Sequence, residues 1–324
     1  MKLFVGITDN QWFRYLASQP RDEVNFWRPG GGGSFKAVPP NGLFLFKLHS
    51  PLNYIVGGGF LVAYSKLPLT VAWESFGQNN GLPTFEDFQR VILAYRKKNA
   101  SVSVELVDPE IGCIILAEPF FWPEELWIPA PSDWPKSTVQ GKTYDTSDGV
   151  GARLWTLVQE RLGHLIAQPN MNSSAAEARP SYGSRTMVEP TQRYTDRLTK
   201  VRLGQGAFRV LVTDAYERRC AITGEKTLPV LQAAHIQPFG RGGPHDVRNG
   251  LLLRSDMHTL FDLGYLTVTP EKRILVSKAI QQQFTNGKLY YSYHEQPLRS
   301  LPSDVARHPA DEFLLWHNKV RFVA

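Results

Sequence analysis

Short alternating runs fill the first half of the chain. Residues 2–7 (KLFVGI), 43–49 (LFLFKLH), 54–64 (YIVGGGFLVAY), 102–107 (VSVELV) and 112–118 (GCIILAE) each place apolar side chains at a period of two or as a short apolar run, and turn residues separate them. This pattern predicts β-strands. Two segments change the period to that of a helix. In residues 84–98 (TFEDFQRVILAYRKK), Thr84 and Asp87 form a capping box and Phe85, Phe88, Ile92 and Tyr95 form one stripe. In residues 151–168 (GARLWTLVQERLGHLIAQ), Leu154, Leu157, Val158, Leu162 and Leu165 share a side. Periodicity then stops. Residues 168–192 are rich in Ser, Ala, Pro and Asn and poor in large aliphatics, which predicts a linker between a domain over 1–167 and another over 193–324. No internal repeat is found.

Composition narrows the class. A chain of 324 residues with 42% hydrophobic and 20% charged residues is long enough for two globular cores. No apolar run of about 18 residues occurs, so no membrane partner is expected. The N-terminus lacks the apolar core and cleavage site of a signal peptide, and a cytoplasmic protein is expected. Two cysteines, Cys113 and Cys220, are too few for a disulfide framework or a four-cysteine zinc site. The net charge of +6 is unevenly placed: residues 191–324 hold 19 Lys/Arg against 12 Asp/Glu, whereas residues 1–190 hold 17 against 18. Its densest part includes Arg193, Arg197, Lys200, Arg202 and Arg209. A polyanion is the natural partner of such a surface; a solvated face with a mild bias is the alternative.

The chemistry concentrates in residues 220–264, CAITGEKTLPVLQAAHIQPFGRGGPHDVRNGLLLRSDMHTLFDLG. Asn249 follows His235 by 14 residues, His258 follows Asn249 by nine, and Asp262 lies four beyond His258. A histidine on a strand can strip a proton from water, and a histidine and an aspartate at i and i+4 on a helix share a face that can hold a divalent cation. The run AAHI…NGLLL…HTLFDLGYL resembles the HNH endonucleases, in their restriction-like branch. The resemblance covers about residues 195–300 and implies a ββα-metal fold. It assigns the general base to His235 and a loop-holding role to Asn249, with Gly250 permitting a tight backbone. It assigns a metal ligand to His258, with Asp262 either a second ligand or the partner of an arginine. Mg²⁺ or Mn²⁺, or another transition metal, is the implied cofactor, and double-stranded DNA the implied substrate. Arg248 and Arg254 flank the asparagine and reach either the cleaved phosphate or solvent.

Two departures from the family pattern stand out. Many members carry an aspartate or histidine just before the base as a further ligand; here that residue is Ala234, and Gln232 on the same strand face is not expected to replace it. Many members also fix the fold with two Cys-x-x-Cys zinc pairs, of which only Cys220 remains, so no structural zinc is expected. His245 reads as a solvated loop residue, and His294, His308 and His317 fall outside the motif.

Residues 1–165 resemble the PUA-like superfamily, which includes EVE, ASCH and SRA-type domains, through the phenylalanine-rich strand, the glycine-rich strand and the late PFFWPEELWIP run. This implies an α+β protein: a PUA-like β-barrel with helices, followed by the HNH domain. Related domains accept a flipped base between aromatic rings. Trp27, Trp73, Phe76, Phe121 and Trp122 are the candidates for such a pocket, packed core being the alternative for each. The combined expectation is a modification-dependent restriction endonuclease of the type IV kind, acting on modified duplex DNA, with a homodimer supplying two active sites for a double-strand break. The alternatives are a repair or mobile-element nuclease, and a modified-DNA binding protein with a decayed nuclease half.

Overall fold

The computed structural model describes residues 1–31, 33–98, 107–135, 137–138, 140–167, 203–284 and 287–323. Residues 102–106 of the predicted strand at 102–107, the predicted linker at 168–192, and Arg193, Arg197, Lys200 and Arg202 lie outside the described residues. The chain divides into two compact units. One comprises residues 1–26, 33–62 and 114–202; the other comprises 27–32, 63–113 and 203–324.

The first unit is built on strands β1 (Lys2–Thr8), β3 (Leu43–Leu48) and β7 (Gly141–Asp145), with parts of β2 (Glu23–Arg28), β4 (Tyr54–Pro68) and β5 (Glu110–Phe121). The sheet order is β2-β5-β4-β3-β1-β7, and the short β6 (Ile128–Pro129) pairs with β4. β1 runs parallel to β3 and antiparallel to β7. The α+β class holds, but the sheet is open rather than the expected closed barrel, with β2 and β7 as its ends. Alternation along β1 and β3 sends Leu3, Val5, Leu43 and Leu45 into one core, where Leu154, Val158 and Leu162 of helix α4 (Gly149–Ala167) join them. The opposite residues of β3, Phe44 and Phe46, meet Phe26, with Phe46 also meeting Trp12 of helix α1 (Asn10–Ala17). The strand period of two thus serves two apolar faces at once.

The second unit contains helices α2 (Leu69–Phe76) and α3 (Phe85–Lys98), and then the elements that carry the histidine motif. One half of the predicted capping box is formed: Thr84 Oγ1 accepts the Asp87 backbone N–H at 3.2 Å, while the Asp87 carboxylate accepts the Thr84 hydroxyl at 3.0 Å. Phe88 and Ile92 of the predicted stripe are buried, while Phe85 and Tyr95 pack on Trp73 and Trp27. Helix α5 (Gln205–Ala215) precedes an antiparallel hairpin of β8 (Leu231–His235) and β9 (Gly250–Arg254), which runs straight into helix α6 (Ser255–Asp262). A second hairpin, β10 (Leu266–Val268) with β11 (Ile274–Val276), comes next, followed by helices α7 (Ala279–Phe284), α8 (Lys288–Tyr291) and α9 (Asp311–Val320). One core joins them: Phe208, Val212, Leu231, Ala234, Leu251, Leu253, Met257, Phe261 and Leu314 are all buried in it. Among the described residues, no helix is long and apolar enough to cross a membrane.

Candidate active site

The predicted residues come from the hairpin of β8 and β9 and the helix α6 that follows it. His235 is the last residue of β8 and lies opposite Gly250. His258 sits in the middle of α6 and Asp262 at its end, one turn on, so both face the same way; His258 Nε2 lies 3.2 Å from Asp262 Oδ2. His235 and His258 line one cleft of about 380 Å³ with Glu74, Ser75, Gln205, Phe208, Arg209, Gln232 and Ala233.

Asn249 is buried and its side chain is fully used. Its Oδ1 accepts from the Gln237 backbone N–H at 2.9 Å, and its Nδ2 donates to the carbonyls of Gln237 and Pro244, each at 2.9 Å. These three bonds close the loop between the two strands, so the asparagine holds the loop. Gly250 has an extended backbone, φ −129°, so it does not serve a tight turn as the sequence suggested. A side chain there would meet Val212 at 2.5 Å and Phe208 at 3.1 Å, so glycine is needed for the close approach of α5.

His245 corrects the sequence reading. It is not a solvated loop residue: its Nδ1 lies 2.9 Å from His235 Nε2, and its ring stacks on Phe239 at 4.6 Å between centroids. His235 in turn lies flat on Phe208, 3.8 Å between centroids and 12° between planes. Burial, reinforced by the neighbouring His245, lowers the pKa of His235 to about 4, so its imidazole is neutral at ordinary pH. Burial lowers that of His245 as well.

Gln232 also does more than expected. Its Oε1 lies 2.7 Å from His258 Nδ1. With that nitrogen as the donor, His258 presents the Nε2 lone pair beside the Asp262 carboxylate. Two electron-rich atoms at that distance call for a cation or a proton between them. An amide oxygen fixing the far nitrogen of a histidine is the support that metal-ligating histidines commonly have. Ala234, by contrast, is wholly buried in the core and offers the cleft no ligand. Among the described residues, no three His, Cys, Asp or Glu side chains are grouped to hold an ion. Of the predicted ligands, His258 and Asp262 lie together, and a hard divalent cation held by this pair would need phosphate and water for its other positions.

The arginines are engaged by acids. Arg209 is held by Glu74, Nη2 to Oε2 at 2.7 Å, on the wall of the cleft. Arg248 pairs with Asp246 at 2.9 Å, and Arg254 makes a two-pronged bond to Asp256 at 2.7 and 2.8 Å. Cys220 Sγ accepts the backbone N–H groups of Thr223 and Arg254, which ties its turn to the end of β9. Of the aromatic candidates, Trp27 and Trp73 come together on Phe88, and Trp27 Nε1 donates to the Asn80 carbonyl at 2.9 Å. Phe76 is buried in the same unit. Phe121, packed on Phe13 and Phe46, and the buried Trp122 belong to the other unit. Sequence reasoning missed Glu74, Gln205, Phe208 and Gln232 as cleft residues and His245 as a partner of His235; only the family pattern around His235 could have drawn attention to its immediate neighbours.

No curated protein matches the chain. Among solved structures, the modification-dependent TagI restriction endonuclease is similar at 25% identity over 36% of this chain and 38% of that chain, with a TM-score of 0.27. The present chain thus spans well under half the length of that protein. Two variants of ZmASCH from Zymomonas mobilis are similar at 10% identity over 48% of this chain, covering 99% and 95% of theirs, with TM-scores of 0.33 and 0.31. The segment that holds β8, β9, α6 and all four of His235, His245, Asn249 and His258 has its own match: residues 220–269 match the HNH endonuclease family.

Proposed function

We propose that this protein is a metal-dependent DNA endonuclease of the restriction type. The observation that carries the reading is that a neutral strand histidine, His235, and a helix histidine, His258, line one cleft, that the Asp262 carboxylate adjoins His258, and that all three lie in the segment matched to HNH endonucleases. His235 takes a proton from the attacking water, a task that needs the neutral ring. Its low pKa keeps the acceptor free at neutral pH, at the cost of some basic strength. His258 and Asp262 would hold the divalent cation, with Gln232 fixing the ring of His258. When bound, such a cation neutralises charge on the scissile phosphate and its leaving oxygen. Phe208 keeps water from one face of His235.

The basic excess of residues 191–324 supports duplex DNA as the substrate. Arg209, Arg248 and Arg254, with Arg193, Arg197, Lys200 and Arg202, would make phosphate contacts; Arg209, Arg248 and Arg254 must first exchange their carboxylate partners for phosphates. The resemblance of residues 1–165 to PUA-like base-reading domains extends the reading to modified DNA, with a dimer for double-strand cleavage. The test is a plasmid panel: unmodified, cytosine-methylated, hydroxymethylated, glucosylated and phosphorothioated DNA, each with Mg²⁺, Mn²⁺ or EDTA. Cleavage of a modified plasmid in the presence of metal alone supports the full reading. Equal cleavage of all plasmids removes the modification dependence, and cleavage in EDTA removes the metal.

A further inference from the structure

We infer that His245 is a positioning residue for the base: it accepts the Nε2 proton of His235 and so leaves the Nδ1 lone pair of that ring for the water in the cleft. The inference rests on the reading of His235 as the general base. At 2.9 Å, the contact between His235 Nε2 and His245 Nδ1 holds one proton between the two nitrogens. Two arrangements satisfy it. If His245 donates, the remaining nitrogen of a neutral His235 carries a hydrogen and cannot accept a proton. If His235 donates, its Nδ1 is a free acceptor on a ring that lines the cleft. Burial disfavours the charged form of both rings, which keeps the pair neutral. A base whose tautomer is set by a second hydrogen-bonding group is the general logic of oriented histidines.

The chain spends several residues on this contact. His245 follows His235 by ten residues in a Gly- and Pro-rich stretch that must fold back on itself. It does so at Gly243, where a side chain would meet the Gln237 carbonyl oxygen at 1.9 Å. Asn249 then ties Gln237 to Pro244, the residue just before His245. Phe208 on His235 and Phe239 on His245 stack the outer faces of the two rings. Phe239 is 64% exposed, so its ring is placed over His245 rather than buried for its own sake. Asn249 thus acts on the base through His245, which gives the loop asparagine a specific task.

The test compares wild type, His245→Ala, His245→Gln and His235→Ala in single-turnover cleavage of the plasmid form that the wild type cuts, with plasmid binding and thermal denaturation measured on the same samples. A glutamine at 245 supplies an amide oxygen to the same proton. His245→Ala should lower the rate on the order of 10- to 100-fold, the range seen when an orienting partner is removed, with binding and melting unchanged, and His245→Gln should recover most of it. Nitrogen-15 spectra of the histidine-labelled full chain, without DNA, should show His235 as the Nε2–H tautomer in wild type and as a mixture in His245→Ala. Wild-type rates for His245→Ala beside an inactive His235→Ala would overturn the inference while sparing the base assignment. An active His235→Ala would sink the base assignment itself; the tautomer spectra still decide whether His245 sets the ring, and an Nδ1–H form in wild type overturns that.

Discussion

His235 and His317 are each laid flat on a phenylalanine: His235 on Phe208 and His317 on Phe261, both at 3.8 Å between centroids and at 12° and 13° between planes. Burial lowers the pKa of each from 6.5 to about 4. What differs is the use of the nitrogens. His317 is 2% exposed; its Nδ1 meets the Thr267 hydroxyl at 2.8 Å and its Nε2 donates to the Phe261 carbonyl at 3.1 Å. Both ends are consumed, and the ring ties α9 to β10 and α6. His235 gives one nitrogen to His245 and turns its ring to a cleft. A depressed histidine is therefore no sign of chemistry by itself. Under the proposed reading, a nitrogen left to the cleft is what would set a base apart from a strut.

Acid should reveal the strut through stability. The unfolded chain binds the His317 proton near pH 6.5 and the folded chain near pH 4. Between these values the unfolded state holds more protons, so stability rises with pH and is lost as pH falls through that window. For His317 the loss amounts to about 3 kcal/mol. Chemical denaturation from pH 7 to pH 4 measures it, and His317→Gln should flatten the slope. A slope unchanged by His317→Gln would mean that this ring is not buried as described. At pH 7, His317→Ala should cost on the order of 2–4 kcal/mol through the lost bonds and cavity, while the folded fraction cleaves as wild type.

On the cleft side, His258→Ala removes the proposed ligand itself and should lower cleavage by more than the roughly 10- to 100-fold typical of losing a group that only orients a ligand, and raised Mg²⁺ or Mn²⁺ should restore part of the rate. Asp262→Asn should be a milder version of the same change. A metal titration that leaves both variants at fixed rates would separate this pair from the metal. The smallest effect expected is at Glu74. Glu74→Gln frees Arg209 from its ion pair, so plasmid binding should tighten slightly at low salt and its logarithmic salt slope steepen by about one ion. Identical slopes would show that Arg209 takes no phosphate.

Two signals made parts of this site legible in the sequence. The placing of His235 came with the resemblance to a known family, since β8 buries Leu231 and Ala234 and shows no period of two, whereas a helix presenting His258 and Asp262 on one face follows from a spacing of four. The burial of Leu154, Val158 and Leu162 follows from a period near 3.6. His245 was not legible, because Gly243 and three bonds from Asn249 bring it back to His235, and a Gly/Pro-rich stretch carries no period. Gln232 and Glu74 were hidden for the same reason: one reaches across to a helix 26 residues later, and the other meets Arg209 from 135 residues before it. The open sheet was not legible either, since strand patterns say which face is apolar and not whether the first and last strands pair.

The central claim is that His235 removes the proton in phosphodiester hydrolysis. Its most direct test is single-turnover cleavage started by adding Mg²⁺ to plasmid already bound by wild type, His235→Ala or His317→Ala. Loss of a general base predicts a rate lower on the order of 10²- to 10⁴-fold for His235→Ala, with plasmid affinity and melting near wild type, and a near-normal rate for folded His317→Ala. A His235→Ala protein that cuts at the wild-type rate would contradict the account.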